Sequence, residues 1–325
     1  MFRVVLDRIA PPRRLLLPLV ALTALVLSGC KPPPKPNEGP TKLHIVATTS
    51  MIADTAREVG GDTVRVEALM GPGIDPHLYK ATAGDLAKIS EADLILYNGL
   101  HLEARMGEVF EQTGKNGKKT VAVTKDIPQD KLIPLKESPG HYDPHVWMDL
   151  TLWTTVANTI ADTLIEEMPD KKATIKTNLD YFVGKLRMLH ANVDIALSQI
   201  PQDKRVLITA HDAFEYWGRL HNFEVRGLQG VSTASEAGAR DVQELANFIA
   251  ERKIPAIFVE SSVPRRNVEA LQEAVKAKGF SVHIGRPLYS DSVGDYGTAE
   301  GSYIGMIRFN AGIIGQELTP PKPKN

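Results

Sequence analysis

From Leu43 onward, short apolar runs alternate with stretches whose apolar residues recur every three or four positions. The runs Leu43–Thr49, Thr63–Leu69, Leu94–Tyr97 and Thr120–Val123 predict strands. The periodic stretches near Met51–Val59 and Ala83–Ile89 predict helices between them. Strand–helix–strand alternation with near-continuous apolar strands implies a mostly parallel sheet covered on both faces. The pattern returns after residue 205, with strands expected at Val206–Thr209, Glu224–Leu228, Ala256–Val259 and Ser281–Ile284. Helices are expected near Ala213–Leu220, Ala239–Arg252, Val268–Lys278 and Tyr303–Leu318. The fold class read from this is α/β, with two lobes.

Between the lobes, Asp170 to Ile200 carries apolar residues at Ile175, Leu179, Phe182, Leu186, Leu189, Val193 and Leu197. Pro169 and Pro201 bracket the stretch, and Gly184 is its one weak interior position. The spacing predicts one helix of about 30 residues and roughly 45 Å, long enough to span both lobes. The expected organisation is an export segment over 1–29, a spacer over 30–42 and an N-terminal lobe over 43–169. The joining helix over 170–200, a C-terminal lobe over 201–318 and a tail over 319–325 complete it.

The N-terminus follows different rules. Arg3, Arg8, Arg13 and Arg14 precede the apolar run Leu15 to Leu27, the layout of a secretory signal. The run is shorter than the roughly 20 apolar residues of a spanning helix. It ends in Leu27-Ser28-Gly29-Cys30, which resembles the bacterial lipobox, so Cys30 is expected to become the lipid-modified first residue of an anchored, extracytoplasmic protein. Cys30 is the sole cysteine, which excludes an internal disulfide. The proline-rich Lys31 to Pro40 favours extended polyproline II and reads as a spacer from the membrane.

Composition narrows the class without deciding it. Of 325 residues, 43% are hydrophobic and 24% charged, as in a globular protein, and the formal net charge of −1 offers no basic field for nucleic acid. Cleavage after Gly29 would take the charge to −4, a mildly acidic surface suited to cations. A monomer is expected.

Of nine histidines, three stand in contexts that suggest ligation. Asp-Pro-His occurs twice, as Asp75-Pro76-His77 and Asp143-Pro144-His145, each at a strand-to-helix junction. Proline stiffens the backbone before the imidazole, and the aspartate can order the loop or accept an imidazole N–H. His211 is expected to follow a strand and open the next helix, and Asp291 lies after the last strand. Ligands of open α/β sheets bind beyond the carboxyl ends of strands, so facing edges would bring two candidates from each lobe to one cleft. His44, His190, His221 and His283 read as packing or surface residues.

Several stretches together resemble one family, the TroA-like metal-binding solute-binding proteins of ABC transporters. They are Asp75 to Tyr79, Ala92 to Glu103, Asp143 to Trp147, His211 to Phe214, Phe258 to Ser262 and Leu288 to Ser292. The resemblance spans about residues 43 to 318. It implies a metal buried between two lobes joined by one rigid helix, with His77, His145, His211 and Asp291 at the family's ligand positions. Asn98 and Glu260 match motif positions near the cleft, His101 matches the motif without being a ligand, and His141 is a candidate for outer contact or capture. It also implies an ABC permease, with its ATPase, as partner. Three imidazoles and a carboxylate without thiolate suit Zn²⁺, Mn²⁺ or Fe²⁺. The zinc-dedicated branch carries a His-rich loop before its second ligand, whereas Asp130 to Gly140 has no histidine, which tilts the expectation from zinc toward manganese. The rival readings are a metal-dependent hydrolase and a surface adhesin or scaffold. Against the enzyme, catalytic zinc sites keep a position open, while four protein ligands close the shell. Neither His-Glu-x-x-His nor Gly-x-Ser-x-Gly occurs.

Overall fold

In the computed structural model, residues 42–319 are described; the export segment, Cys30, the proline-rich spacer and residues 320–325 lie outside them. The first half runs β1 (Leu43–Ala47), α1 (Ser50–Gly60), β2 (Val64–Ala68), α2 (Ala83–Glu91), β3 (Leu94–Tyr97), α3 (Gly107–Lys115), β4 (Lys119–Ala122) and α4 (Leu150–Glu167). Its four strands form one parallel sheet in the order β2-β1-β3-β4. Successive side chains on a strand face opposite ways. Accordingly Ile45 and Ala47 join the cluster of α1 and α4, while Val46 joins the smaller cluster of α2 and α3 with Ile89 and Phe110.

The second half follows a long helix, α5 (Lys172–Leu197), and runs β5 (Val206–His211), α6 (Glu215–His221), β6 (Glu224–Gln229), α7 (Ala239–Arg252), β7 (Ala256–Glu260), α8 (Arg266–Ala277), β8 (His283–Leu288) and α9 (Tyr303–Leu318). Here the strands pair in parallel twos, β5 with β6 and β7 with β8, and β5 lies alongside β7. The α/β class and the mostly parallel sheets match the sequence reading.

The long helix is single. Its apolar face, Ile175, Phe182, Leu186, Leu189, Val193 and Leu197, is buried, and it packs on α1 and α4 of the first half and α9 of the second. At 26 residues it is shorter than expected, about 39 Å, because residues 169–171 wind as a separate 3₁₀ turn before it and the helix ends at Leu197 rather than Ile200.

The halves do not keep separate cores. One apolar cluster runs from Ile45, Trp147 and Trp153 through α5 to Leu207, Phe258, Leu288 and Tyr303. The outer layers keep clusters of their own, Val46 with α2 and α3 in the first half and Val206, Ile208 and Ala210 against α7 and α8 in the second. The strand boundaries also moved: β8 begins at His283 and reaches Leu288, past a register shift opposite Phe258 and Glu260. Gly107–Lys115 also folds as a helix, which the sequence reading does not include; only Phe110 of it is buried.

Candidate metal centre

Four loops from the carboxyl ends of the strands meet between the halves. The loop after β2 carries His77. Asp75 Oδ1 accepts the His77 backbone N–H at 2.8 Å, closing the turn around Pro76, and Asp75 Oδ2 accepts the Thr233 hydroxyl at 2.6 Å from the opposite half. Gly73, with φ of 72°, donates its N–H to Ser292 Oγ at 2.8 Å, a second tie across the cleft. The left-handed region at Gly73 favours the residue without a Cβ.

His145 precedes α4 and is held more tightly. A single oxygen, Asp143 Oδ1, accepts the His145 backbone N–H at 2.9 Å and faces its Nδ1 at 2.7 Å. The Asp143 carbonyl accepts the Tyr216 hydroxyl at 2.9 Å, and Asn98 Nδ2 donates to the Pro144 carbonyl at 3.1 Å. Trp147, two residues on, donates Nε1–H to the Ser290 carbonyl at 2.7 Å, so the loop of His145 is fastened to the loop of Asp291.

His211 is the last residue of β5, paired in register with Gln229, and α6 opens only at Glu215. The expectation that His211 opens a helix is therefore corrected: β5 runs two residues past its apolar run, and the ladder with β6 continues to His211 and Gln229. Gly227 makes this possible, because a Cβ there would stand 2.4 Å from the Asp212 backbone nitrogen. Glu260, ending β7, accepts the His211 backbone N–H through Oε1 at 2.9 Å and faces His211 Nδ1 through Oε2 at 2.5 Å. Asp291 follows β8, with Oδ2 accepting the Ser262 hydroxyl at 3.1 Å.

The structure brings His77, His145, His211 and Asp291 together, one donor atom from each lying within 4.8 Å of the others, and all four are buried. His77 Nε2 stands 3.2 Å from His145 Nε2, His145 Nε2 lies 3.5 Å from Asp291 Oδ1, and His211 Nε2 lies 3.4 Å from Asp291 Oδ2. Donors about 2 Å from a tetrahedral ion stand about 3.3 Å apart, which is this spacing. The carboxylates at Nδ1 of His145 and His211 accept hydrogen bonds from those N–H groups and leave Nε2 of each ring facing the centre. His211 Nε2 and Asp291 Oδ1 are buried without a hydrogen-bond partner among the described residues. Buried polar atoms are costly to leave unpaired, and a cation between them satisfies both.

Electrostatics point the same way. Burial pushes the His77 imidazolium down to about 3, against the pull of Asp291. For His211 burial acts in that direction too, but the carboxylates of Glu260 and Asp291 outweigh it and hold its pKa well above the ordinary value. Burial would raise Asp291, yet His211, with smaller contributions from His77 and His145, keeps it below the usual carboxylate range.

Of the outer residues, Asp75, Asp143 and Glu260 each touch a candidate ligand, and Asn98 acts one step back through Pro144. His141 does not join them. It is exposed, stacked on His101 at 4.3 Å, beside a cavity of about 440 Å³ lined by Tyr97 and Phe110. The reason is local: the 138–141 turn directs the chain back only at Tyr142, whose bridge to Pro134 precedes the buried Asp143.

Sequence reasoning gave no role to Thr233, nor to Ser262 and Ser292 at the ends of two family stretches, since a single hydroxyl's spacing carries no signal. It also missed Glu103. That buried carboxylate accepts the Thr48 hydroxyl at 2.6 Å and the backbone N–H groups of Asn98 at 2.7 Å and Gly99 at 3.3 Å. It steadies a bend in which Gly99, Leu100 and His101 all have positive φ.

Comparison with known proteins agrees with this architecture. Residues 45–316 match the family model described as zinc-uptake complex component A, periplasmic. The zinc-binding protein TroA of Treponema pallidum is 49% identical over 270 residues, covering 83% of this chain and 87% of that protein. The manganese-binding lipoprotein MntA of Bacillus subtilis is 43% identical over 306 residues, covering 94% of this chain and 99% of the relative. The solved structure of the periplasmic zinc-binding protein TroA superimposes with a TM-score of 0.84 at 48% identity, covering 86% of this chain and all of that one. With the model matched across both halves and the joining helix, the chain belongs to the family of the periplasmic component A of zinc-uptake complexes.

Proposed function

We propose that this chain captures one divalent transition-metal ion outside the cytoplasm and delivers it to the permease of an ABC importer, whose ATPase drives uptake. The observation that carries this reading is the convergence of three imidazole Nε2 atoms and the Asp291 carboxylate at one buried point, two rings turned inward by carboxylates at Nδ1. His77, His145, His211 and Asp291 are the proposed ligands. Asp75, Asp143 and Glu260 set loop and ring orientation, and Asn98 supports the His145 loop. The lobes are taken as 43–169 and 201–318, joined by the helix within 170–200, so the ion is gripped from both sides.

Manganese is favoured over zinc as the cargo, with Fe²⁺ a third candidate. Among relatives, MntA is named for manganese and TroA for zinc, so ancestry alone does not choose. Asp130 to Gly140, preceding the His145 loop, contains no histidine, which sets this chain apart from zinc-dedicated members. A four-ligand shell sealed from solvent suits carrying an ion better than presenting it to a substrate. Relatives named as lipoproteins support attachment through Cys30.

The test is a competition titration with a chromogenic chelator. The wild-type chain is expected to hold one tight equivalent of metal and to bind Zn²⁺ at least as tightly as Mn²⁺, because intrinsic affinity follows the Irving–Williams order whatever the cell supplies. Alanine at any of the four ligands should weaken binding, and His283→Ala should not. Unchanged affinity in two of the four ligand variants would overturn the ligand set.

A further inference from the structure

A second group of metal-binding side chains lies where α5 passes the end of α6. His190 and Asp194 stand four residues apart on α5 and so share one helix face. His221, the last residue of α6, approaches that face. His221 Nδ1 lies 3.0 Å from Asp194 Oδ1, and His190 Nε2 lies 3.6 Å from Asp194 Oδ2. The two rings are perpendicular with centroids 5.7 Å apart, and one donor atom from each residue lies within 4.8 Å of the other two.

The three side chains differ in freedom. The His221 side chain is 1% exposed and packs on Trp217 with centroids 4.5 Å apart. Its carbonyl accepts a hydrogen bond from Arg205 Nη1 at 3.0 Å, which holds the end of α6 in place. His221 Nδ1 is the nitrogen that faces the pair, and the ring's other nitrogen, Nε2, is buried without a hydrogen-bond partner among the described residues. The side chains of His190 and Asp194 are 30% and 58% exposed, which opens the group to ions from solvent. A fixed imidazole beside a reachable imidazole–carboxylate pair is a half-built coordination shell.

We propose that His190, Asp194 and His221 form a second, weaker site for a divalent transition-metal ion, separate from the buried centre between the halves. Two imidazoles and one carboxylate select ions such as Zn²⁺, Ni²⁺ or Cu²⁺ over Mg²⁺ and Ca²⁺, which prefer oxygen shells. Three protein ligands leave at least one position to water, so the ion there exchanges with solvent. Its ligands come from α5 and from the second half, and binding would fasten α6 to the joining helix.

The experiment is calorimetric titration of the chain with Zn²⁺ alone, continued well past one equivalent, in a non-coordinating buffer. Two classes are expected in the wild type, a tight one and a weaker one of about one further equivalent. His190→Ala and Asp194→Asn alter exposed side chains and should each weaken the second class at least tenfold while leaving the tight class unchanged. His221→Ala is avoided because that ring is packed in the fold. Absence of a weaker class from the wild type, or its survival in either variant, overturns the site. Neither result depends on the ligands of the buried centre, which are tested separately by their own variants.

Discussion

The Glu260 carboxylate grips His211 twice, through the backbone N–H at 2.9 Å and the ring Nδ1 at 2.5 Å, with both side chains fully buried. Asp143 does the same for His145 with one oxygen. Each arrangement fixes where the ring sits and which nitrogen faces the centre. Glu260→Gln preserves size but removes the charge that polarises the ring. Metal affinity should fall about 10- to 100-fold, the usual cost of losing such a partner. Equilibrium competition with a chelator measures it, and an unchanged constant would show that Glu260 serves only the fold.

Charge on His211 leads to a proton count. Without metal, Glu260 and Asp291 outweigh burial and raise the His211 pKa well above its ordinary value, which favours the imidazolium. This protonation stabilises the metal-free fold below the ordinary histidine value of about 6.5, and the contribution is lost as pH rises through the raised folded value. Metal must displace the proton, so binding at pH 7 should release about one proton and strengthen as pH increases. Calorimetry in buffers of different ionisation enthalpy reads the number directly; zero release would contradict the raised His211.

Asp212 is a partly buried carboxyl that the centre does not use. Burial first, then the charges of Glu215 and Asp143, push its pKa up to about 7. The folded chain therefore binds a proton there that the unfolded chain has lost, so this group's contribution to stability falls as pH rises from about 4 to 7. Asp212→Asn removes the dependence. The melting temperature of the variant relative to wild type, measured in chelator, should be higher at pH 8 than at pH 5. A difference that does not change with pH would refute the shift.

Cys30→Ser should leave the folded part intact and release the protein from the membrane fraction. The expectation rests on the arginine-flanked apolar run that ends at the chain's one cysteine. Stable attachment needs more than one acyl chain, which a modified cysteine at a mature N-terminus supplies. Fractionation in which the cleaved variant stays membrane-bound would rule out the lipid anchor.

Much of the site was readable in the sequence because each ligand is announced by its neighbours. Asp-Pro-His marks two stiff turns in the loops that lead into α2 and α4, and the apolar run Val206–Thr209 points at His211. Asn98 and Glu260 came from the family pattern, since nothing local to either residue reveals what it will face. The cross-cleft hydroxyls of Thr233 and Ser292 were not readable, being 158 and 219 residues from their partners. His190 and Asp194 were four apart on a helix face in plain view, but His221 gives that spacing meaning and is brought there only by the packing of α6. The long helix was legible from its period. The shared core was not, because an apolar residue in a strand does not say which half of the molecule will cover it.

That shared core decides where the molecule can give way. Swinging the halves apart as rigid bodies would pull Leu207, Phe258 and Leu288 from the cluster they share with α5 and the first half. Each such side chain costs about 1.5–3 kcal/mol to expose. The rim of the cleft is fastened instead by two isolated polar ties, Gly73 to Ser292, worth about 0.5–1.5 kcal/mol, and Thr233 to the Asp75 carboxylate, worth about 1.5–3 kcal/mol. Many apolar contacts thus back the seam between the halves while two hydrogen bonds hold its rim, as in a purse whose frame is steel and whose clasp is thread.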